Sequence, residues 1–271
     1  MNSYKEQFQR SLDAKQDCTL RITYPIYAIS NLYQTTKPSD MWDDFILIDN
    51  FQLYDIPPSF SRIKFVEGIE LEDWLIEKLA KSNLRSIHIN SWVGHSRTEM
   101  GLPSNIKEII SSCHLPKPSL FPLELERYEL ISWYTKFSIS VVTSELPRTL
   151  RVFKTSLLRH FNAVDIGSFP PNLEELHLFA EKDQPSDDTT QLPSTLKHLS
   201  ISTSWLKNIC DLKSIETLKL IYRNDVSLRQ DDIPSYITHL TLCNHGMEKS
   251  FTKELIPKNI KYLKLEYNIL F

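Results

Sequence analysis

Residues 169–178 read Phe169-Pro170-Pro171-Asn172-Leu173-Glu174-Glu175-Leu176-His177-Leu178, a proline, two further residues, and then apolar side chains at Leu173, Leu176 and Leu178. The step from Leu176 to Leu178 has period two, which is strand behaviour. A proline three residues ahead of the first apolar position suits a chain entering a strand, because its fixed φ and missing N–H are tolerated there and not inside the ladder. With Leu173 as anchor, the pattern Pro-x-x-φ-x-x-φ-x-φ (φ apolar) recurs at Phe60, Leu84, Ile106, Leu125, Leu150, Leu173, Leu196, Ile215, Ile237 and Ile260. The intervals are 24, 22, 19, 25, 23, 23, 19, 22 and 23 residues. The proline stands at Pro57, Pro103, Pro122, Pro147, Pro170, Pro193, Pro234 and Pro257. Self-similarity at such a period marks an array whose units bury their apolar faces against their neighbours.

The pattern predicts an α/β solenoid with a parallel concave β-sheet and mostly irregular convex connections. Residues 57–271 form about ten repeats, and residues 1–56 form an N-terminal cap. Tyr4, Phe8 and Leu12 give residues 3–16 the stripe of a short amphipathic helix. Thr19–Tyr24 and Phe45–Asp49 read as short strands, and Trp42, Phe45 and Leu47 as a degenerate first copy. Leu71, Trp74, Leu75, Ile76 and Leu79 place a helix within Glu70–Lys81. The other return paths are too polar and short for more than a helical turn, and 181–191 is the most solvated.

The arrangement L-x-x-L-x-L after a proline, as in Leu196-x-x-Leu199-x-Ile201 and Ile260-x-x-Leu263-x-Leu265-x-x-Asn268, resembles a leucine-rich repeat. The segment Leu146-Pro147 to Leu150, followed by Phe161-Asn162, Ile166, Gly167 and Pro170, is similar to the FNIP variant of that repeat. The resemblance implies a protein-binding superhelix. Members of this group often carry an F-box that recruits a ubiquitin ligase, but no L-P-x-E-I-type helix lies near residue 1, so that role is not carried over. The family's polar ladder uses asparagine eight residues past the anchor. Only Asn268 stands there, with Trp92 and Trp133 in two other copies. These tryptophans and Trp205 are expected to fill the space the ladder leaves, while Trp74 belongs to the helix core.

Strand alternation sends the residues two and four past each anchor to the face opposite the core. Together they include six cationic residues, three anionic residues and four histidines, on a chain of net charge −3. A mildly basic face on a slightly acidic protein steers an acidic partner. The expected partner-binding residues are Arg62, Lys64, Arg127, Lys154, His177, His198, Lys219, His239 and Lys264. The function read from them is non-enzymatic recognition of a partner or substrate protein, as a recognition or assembly subunit of an intracellular complex. The alternative is a subunit of a nucleic-acid-associated complex whose concave basic residues contact phosphate.

Five glycines with no G-x-G, phosphate loop or nucleophile elbow speak against an enzyme. Asp43-Asp44, Asp187-Asp188 and Asp231-Asp232 read as solvated acids, and neighbours such as Cys113-His114 point apart on an extended chain. Cys18, Cys113, Cys210 and Cys243 show no C-x-x-C, so no metal or cofactor is expected and the thiols read as reduced and mostly buried. No apolar h-region, membrane-length run or N-x-S/T acceptor occurs, which places the chain in the cytoplasm or nucleus. Leu270 and Phe271 follow the last strand with no polar capping unit. They mark an edge expected to self-associate or to be covered by a partner.

Overall fold

The structure, a computed structural model, describes residues 18–23, 45–47, 56, 60–69, 72–92, 100–111, 118–131, 143–155, 169–178, 192–222, 232–244 and 256–267. The chain divides into two compact units, 1–125 and 126–271. The first holds strands β1 (Cys18–Thr23), β2 (Phe45–Leu47), β3 (Phe60–Ile69), β4 (Ser86–Trp92) and β5 (Glu108–Ser111), with helix α1 (Asp73–Lys81) between β3 and β4. Its strand order is β2-β1-β3-β4-β5, all parallel. The strand beside β3 is therefore Cys18–Thr23, with Phe45–Leu47 one place further out. Phe45 and Leu47, expected in a degenerate first copy, therefore stand on the strand beyond β1, and Trp42 lies outside the described residues. The second unit holds β6 (Arg127–Leu130), β7 (Val152–Thr155), β8 (Glu175–His177), β9 (His198–Ser202), β10 (Thr217–Tyr222), β11 (His239–Asn244) and β12 (Tyr262–Tyr267). These pair in sequence order, and every pair is parallel. Open parallel sheets with few helices are compatible with a solenoid-like α/β arrangement.

The proline motif closes a β-turn. The anchor N–H donates to the carbonyl three residues earlier: Ile106 to Pro103 at 3.0 Å, Leu125 to Pro122 at 3.1 Å, Leu150 to Pro147 at 3.1 Å and Leu173 to Pro170 at 3.2 Å. Leu196, Ile237 and Ile260 repeat the bond to Pro193, Pro234 and Pro257, and Ile215 makes it to Leu212. Proline at the first turn position gives up no needed donor, and its carbonyl remains available.

Beneath the turns, the anchors and the residues three and five past them form the core. Leu84, Ile106, Leu125, Leu150, Leu173, Leu196 and Ile237 are all 0 % exposed. Ser111 and Thr155 take the third apolar place in two coils and are buried nonetheless, and Thr155 Oγ1 donates to His177 O at 3.4 Å. The last coil departs from the pattern: Leu263 is 37 % and Leu265 41 % exposed. Leu270 and Phe271, expected to form this edge, lie outside the described residues, as does the expected helix over 3–16.

Helix α1, Asp73–Lys81, lies within the span its apolar stripe predicts. It buries Leu75, Ile76 and Leu79, with Asp73 in the first turn and Lys78 and Lys81 in the last, as the helix dipole favours. Trp74 is half-buried at the helix start and its Nε1–H donates to Glu72 at 2.6 Å. The other described return paths carry 3-10 turns at Pro118–Leu120, Thr143–Glu145 and Thr203–Ile209. The last of these buries Trp205, as expected, while Trp133 and the Trp92 side chain lie outside the description. Gly101 is required by a close approach, since a Cβ there would stand 2.8 Å from the Ser119 carbonyl oxygen.

Polar ties between neighbouring turns run through the residue immediately before five of the anchors. Asn105 Nδ2 donates to Leu79 O (2.9 Å), Leu84 O (3.0 Å) and Ser82 O (3.2 Å), which ties the C-terminal end of α1 to the next turn. Thr195 Oγ1 meets Leu173 O at 2.7 Å and Pro171 O at 2.9 Å. Asn172 donates to Arg148 O at 3.1 Å, Asn259 to Ile237 O and Tyr236 to Ile209 O. Burial, with the nearby Cys210 and Asp211, pushes the Tyr236 hydroxyl up to about 12.

Candidate functional site

The strand register brings the expected columns together as rows on the face away from the core. In the second unit the residues two past the anchor run Arg127, Val152, Glu175, His198, Thr217, His239, Tyr262, and those four past it run Glu129, Lys154, His177, Ser200, Lys219, Thr241, Lys264. The burial alternation of β6 and β7 keeps Arg127, Glu129, Val152 and Lys154 half-exposed over a buried row, while on β9 Ser200 is buried.

This face is not the free basic strip that counting residues implied. Arg127 Nη2 lies 2.9 Å from Glu129 Oε2. Lys154 Nζ lies 2.6 Å from Glu175 Oε1, which also takes His177 Nε2 at 2.9 Å. Lys219 and Lys264 share Glu266, at 2.5 and 2.8 Å. Glu266 was missed because it stands six past its anchor, where period two still points to the polar face. Strands β10, β11 and β12 are six residues long, and continuing the alternation by one step finds it.

The titration behaviour follows from these pairs. Hydrogen bonds from Lys219 and then Lys264 hold the Glu266 carboxyl at about 2. Burial pulls Glu175 upward, but Lys154, with the His177 and Arg127 charges, outweighs it and leaves the carboxyl below its ordinary value. Burial and the Lys154 charge push the His177 imidazole down, against the pull of Glu175. His198 Nδ1 lies 2.8 Å from Thr217 Oγ1, and His239 Nδ1 3.0 Å from Thr238 Oγ1. The His239 ring also packs on Tyr262 at 5.9 Å between centroids. Among the described residues, no group of three or more His, Cys, Asp and Glu side chains could hold a metal.

An open hollow of about 200 Å³ lies over Val152, lined by Arg127, Arg151, Glu174, Glu175 and His198 among others. Arg127, Arg151, Glu174 and Glu175 of this lining are each held in an ion pair. Two N–H groups of Arg151 converge on Glu174 Oε1 at 2.9 and 2.7 Å, and Lys197 reaches Oε2 at 3.5 Å.

In the first unit, Arg62 stands opposite Ser86 and Lys64 opposite His88. Arg62 is exposed and Lys64 half-buried. Among the described residues neither has a carboxylate within ion-pair distance.

Cys243 is buried, and burial raises its thiol. Cys210 is exposed, against expectation, because it sits in the turn after Ile209 rather than in a strand. Asp232 is exposed. Cys113-His114 and Asp43-Asp44, Asp187-Asp188 and Asp231 lie outside the described residues. No described helix is long and apolar enough to cross a membrane. Compared with protein-family models and with curated proteins, the chain matches none.

Proposed function

We propose that this chain is a non-enzymatic protein-binding module, a leucine-rich-repeat-like solenoid of the FNIP type. In this reading it recognises a partner or substrate protein through the concave polar face of its sheet, as a recognition or assembly subunit of a cytoplasmic or nuclear complex. The observation that carries the reading is the face itself. Parallel strands in unbroken register from β6 to β12 hold two rows of mostly polar side chains over an apolar core. A regular open surface of this kind suits an extended protein partner. The hollow over Val152 supports an enzyme poorly, since Arg127, Arg151, Glu174 and Glu175 in its lining are all held in ion pairs. A nucleic-acid role has less support for the same reason: four of the cations meant for phosphate already hold carboxylates.

The test is affinity capture with mass spectrometry. One variant changes the polar face (Val152→Glu with Thr241→Glu), and another changes exposed turn positions (Arg148→Glu with Lys258→Glu). Partners lost from the first and kept by the second support the reading. Partners kept by both, or lost equally from both, overturn it.

A further inference from the structure

We infer that the polar face takes an extended acidic peptide segment of the partner protein, and takes it on β3 at Arg62 and Lys64 rather than along the whole cationic column. The inference rests on the protein-binding reading above and locates its electrostatic anchor.

An incoming carboxylate gains most from a cation that has no carboxylate already. In the second unit each lysine or arginine of the two rows is engaged: Arg127 by Glu129, Lys154 by Glu175, and Lys219 and Lys264 by Glu266. A partner's acid arriving there must displace a resident acid at 2.5–2.9 Å and then sit beside it. It gains only the difference between two similar pairs and meets like-charge repulsion.

On β3 the balance is reversed. Arg62 and Lys64 are alternate residues on one strand, so both point to the polar face, about 6.6 Å apart along it. Their neighbours on β4 are the small, buried Ser86 and the half-buried His88. On the other side Arg21 occupies the register position opposite Lys64, and Thr19 the one opposite Arg62. Glu108, opposite Ser86 on β5, is two strands from Arg62, about 9.6 Å of sheet. At the positions two and four past the anchors, and those in register with them, β1 and β3 thus carry three basic residues and the first acid is Glu108 on β5, while the Glu67 side chain further along β3 lies outside the described residues.

The same geometry selects the ligand. Alternate residues of an extended peptide project to one side with the spacing of Arg62 and Lys64, so two acids at i and i+2 meet both cations at once. A duplex fits less well. Its affinity grows with the number of phosphates neutralised, and two or three cations give a salt slope of only about −2 to −3.

Fluorescence anisotropy on the full chain tests this with a labelled alternating Glu-Ser peptide, a matched Gln-Ser peptide and a short DNA duplex. The proteins are wild type, Arg62→Gln with Lys64→Gln, and Lys154→Gln with Lys219→Gln, each confirmed folded by circular dichroism. The expected result is salt-sensitive binding of the Glu-Ser peptide alone, weakened about tenfold or more by the β3 pair and by less than about threefold by the other pair. Equal loss from both pairs, or loss confined to Lys154 and Lys219, overturns the location while the protein-binding face stands. Failure of wild type to bind the Glu-Ser peptide overturns the ligand class, and capture by the polar-face variant above then reports separately on the wider reading. Duplex binding tighter than peptide binding and lost with the β3 pair overturns the inference in favour of nucleic acid.

Discussion

Lys219 on β10 donates to Glu266 on β12 at 2.5 Å, reaching over the whole of β11. The other Glu266 oxygen takes Lys264 at 2.8 Å. One carboxylate therefore fastens the last three strands of the second unit on their polar side. This matters because the apolar side of β12 is poorly covered, with Leu263 and Leu265 partly exposed.

Acid is predicted to loosen this fastening. The folded carboxyl titrates at about 2 against an ordinary 4.5, so its contribution is complete above pH 4.5 and is lost as pH falls toward 2. Allowing for solvent screening, the contribution is on the order of 1–2 kcal/mol. Urea denaturation is expected to show Glu266→Gln less stable than wild type at pH 7 by that amount, with the gap closing toward pH 2. Equal stability of the two proteins at pH 7 rules the fastening out.

His177 is predicted to titrate below 6.5, because burial and the Lys154 charge disfavour the imidazolium more than Glu175 favours it. A folded pKa below the unfolded one means that the neutral ring stabilises the fold above pH 6.5 and that this is lost as pH falls through the folded value. Lys154→Met is expected to raise the midpoint followed by NMR of the imidazole carbons, and Glu175→Gln to lower it. A midpoint that stays put in both variants contradicts the ion-pair geometry at β7 and β8.

Asn105→Ala should destabilise the first unit by about 1–3 kcal/mol, since Leu79, Ser82 and Leu84 lose a shared donor in a half-buried site. Asn172→Ala removes one exposed bond to Arg148 and should cost about 0.5 kcal/mol. Chemical denaturation that ranks the two variants the other way round would remove these ties as a support of the junctions between turns.

The parallel strands and their buried face were legible in the sequence because the anchor, +3 and +5 places carry the burial, and apolar chemistry at those places is visible as a period. The polar ties between turns were not. Asn105, Asn172, Thr195, Tyr236 and Asn259 share a position and the capacity to donate to a carbonyl; three are asparagine, but threonine and tyrosine serve as well, so no single residue type marks the place. The charge state of the face was half legible. Alternation places Lys154 and Lys219 correctly, but which acid each finds depends on side-chain reach across one or two strands, as Glu266 shows. The edge at Leu263 and Leu265 follows the motif as faithfully as Leu240 and Leu242 do. What differs is the presence of a described strand on both sides, which residue identity does not encode.

That difference yields the last prediction. Leu150 is 0 % exposed among neighbouring coils, so Leu150→Ala removes packed atoms and leaves a cavity, for a loss of about 2–5 kcal/mol. Leu265, a core position five past its own anchor, is 41 % exposed, and Leu265→Ala should cost about 1 kcal/mol or less. Thermal and urea unfolding of both variants measure the pair. Should Leu265→Ala prove as damaging as Leu150→Ala, the outer side of β12 is covered in solution, and a rise in the Leu265→Ala penalty with protein concentration would identify a second copy of the chain as the cover.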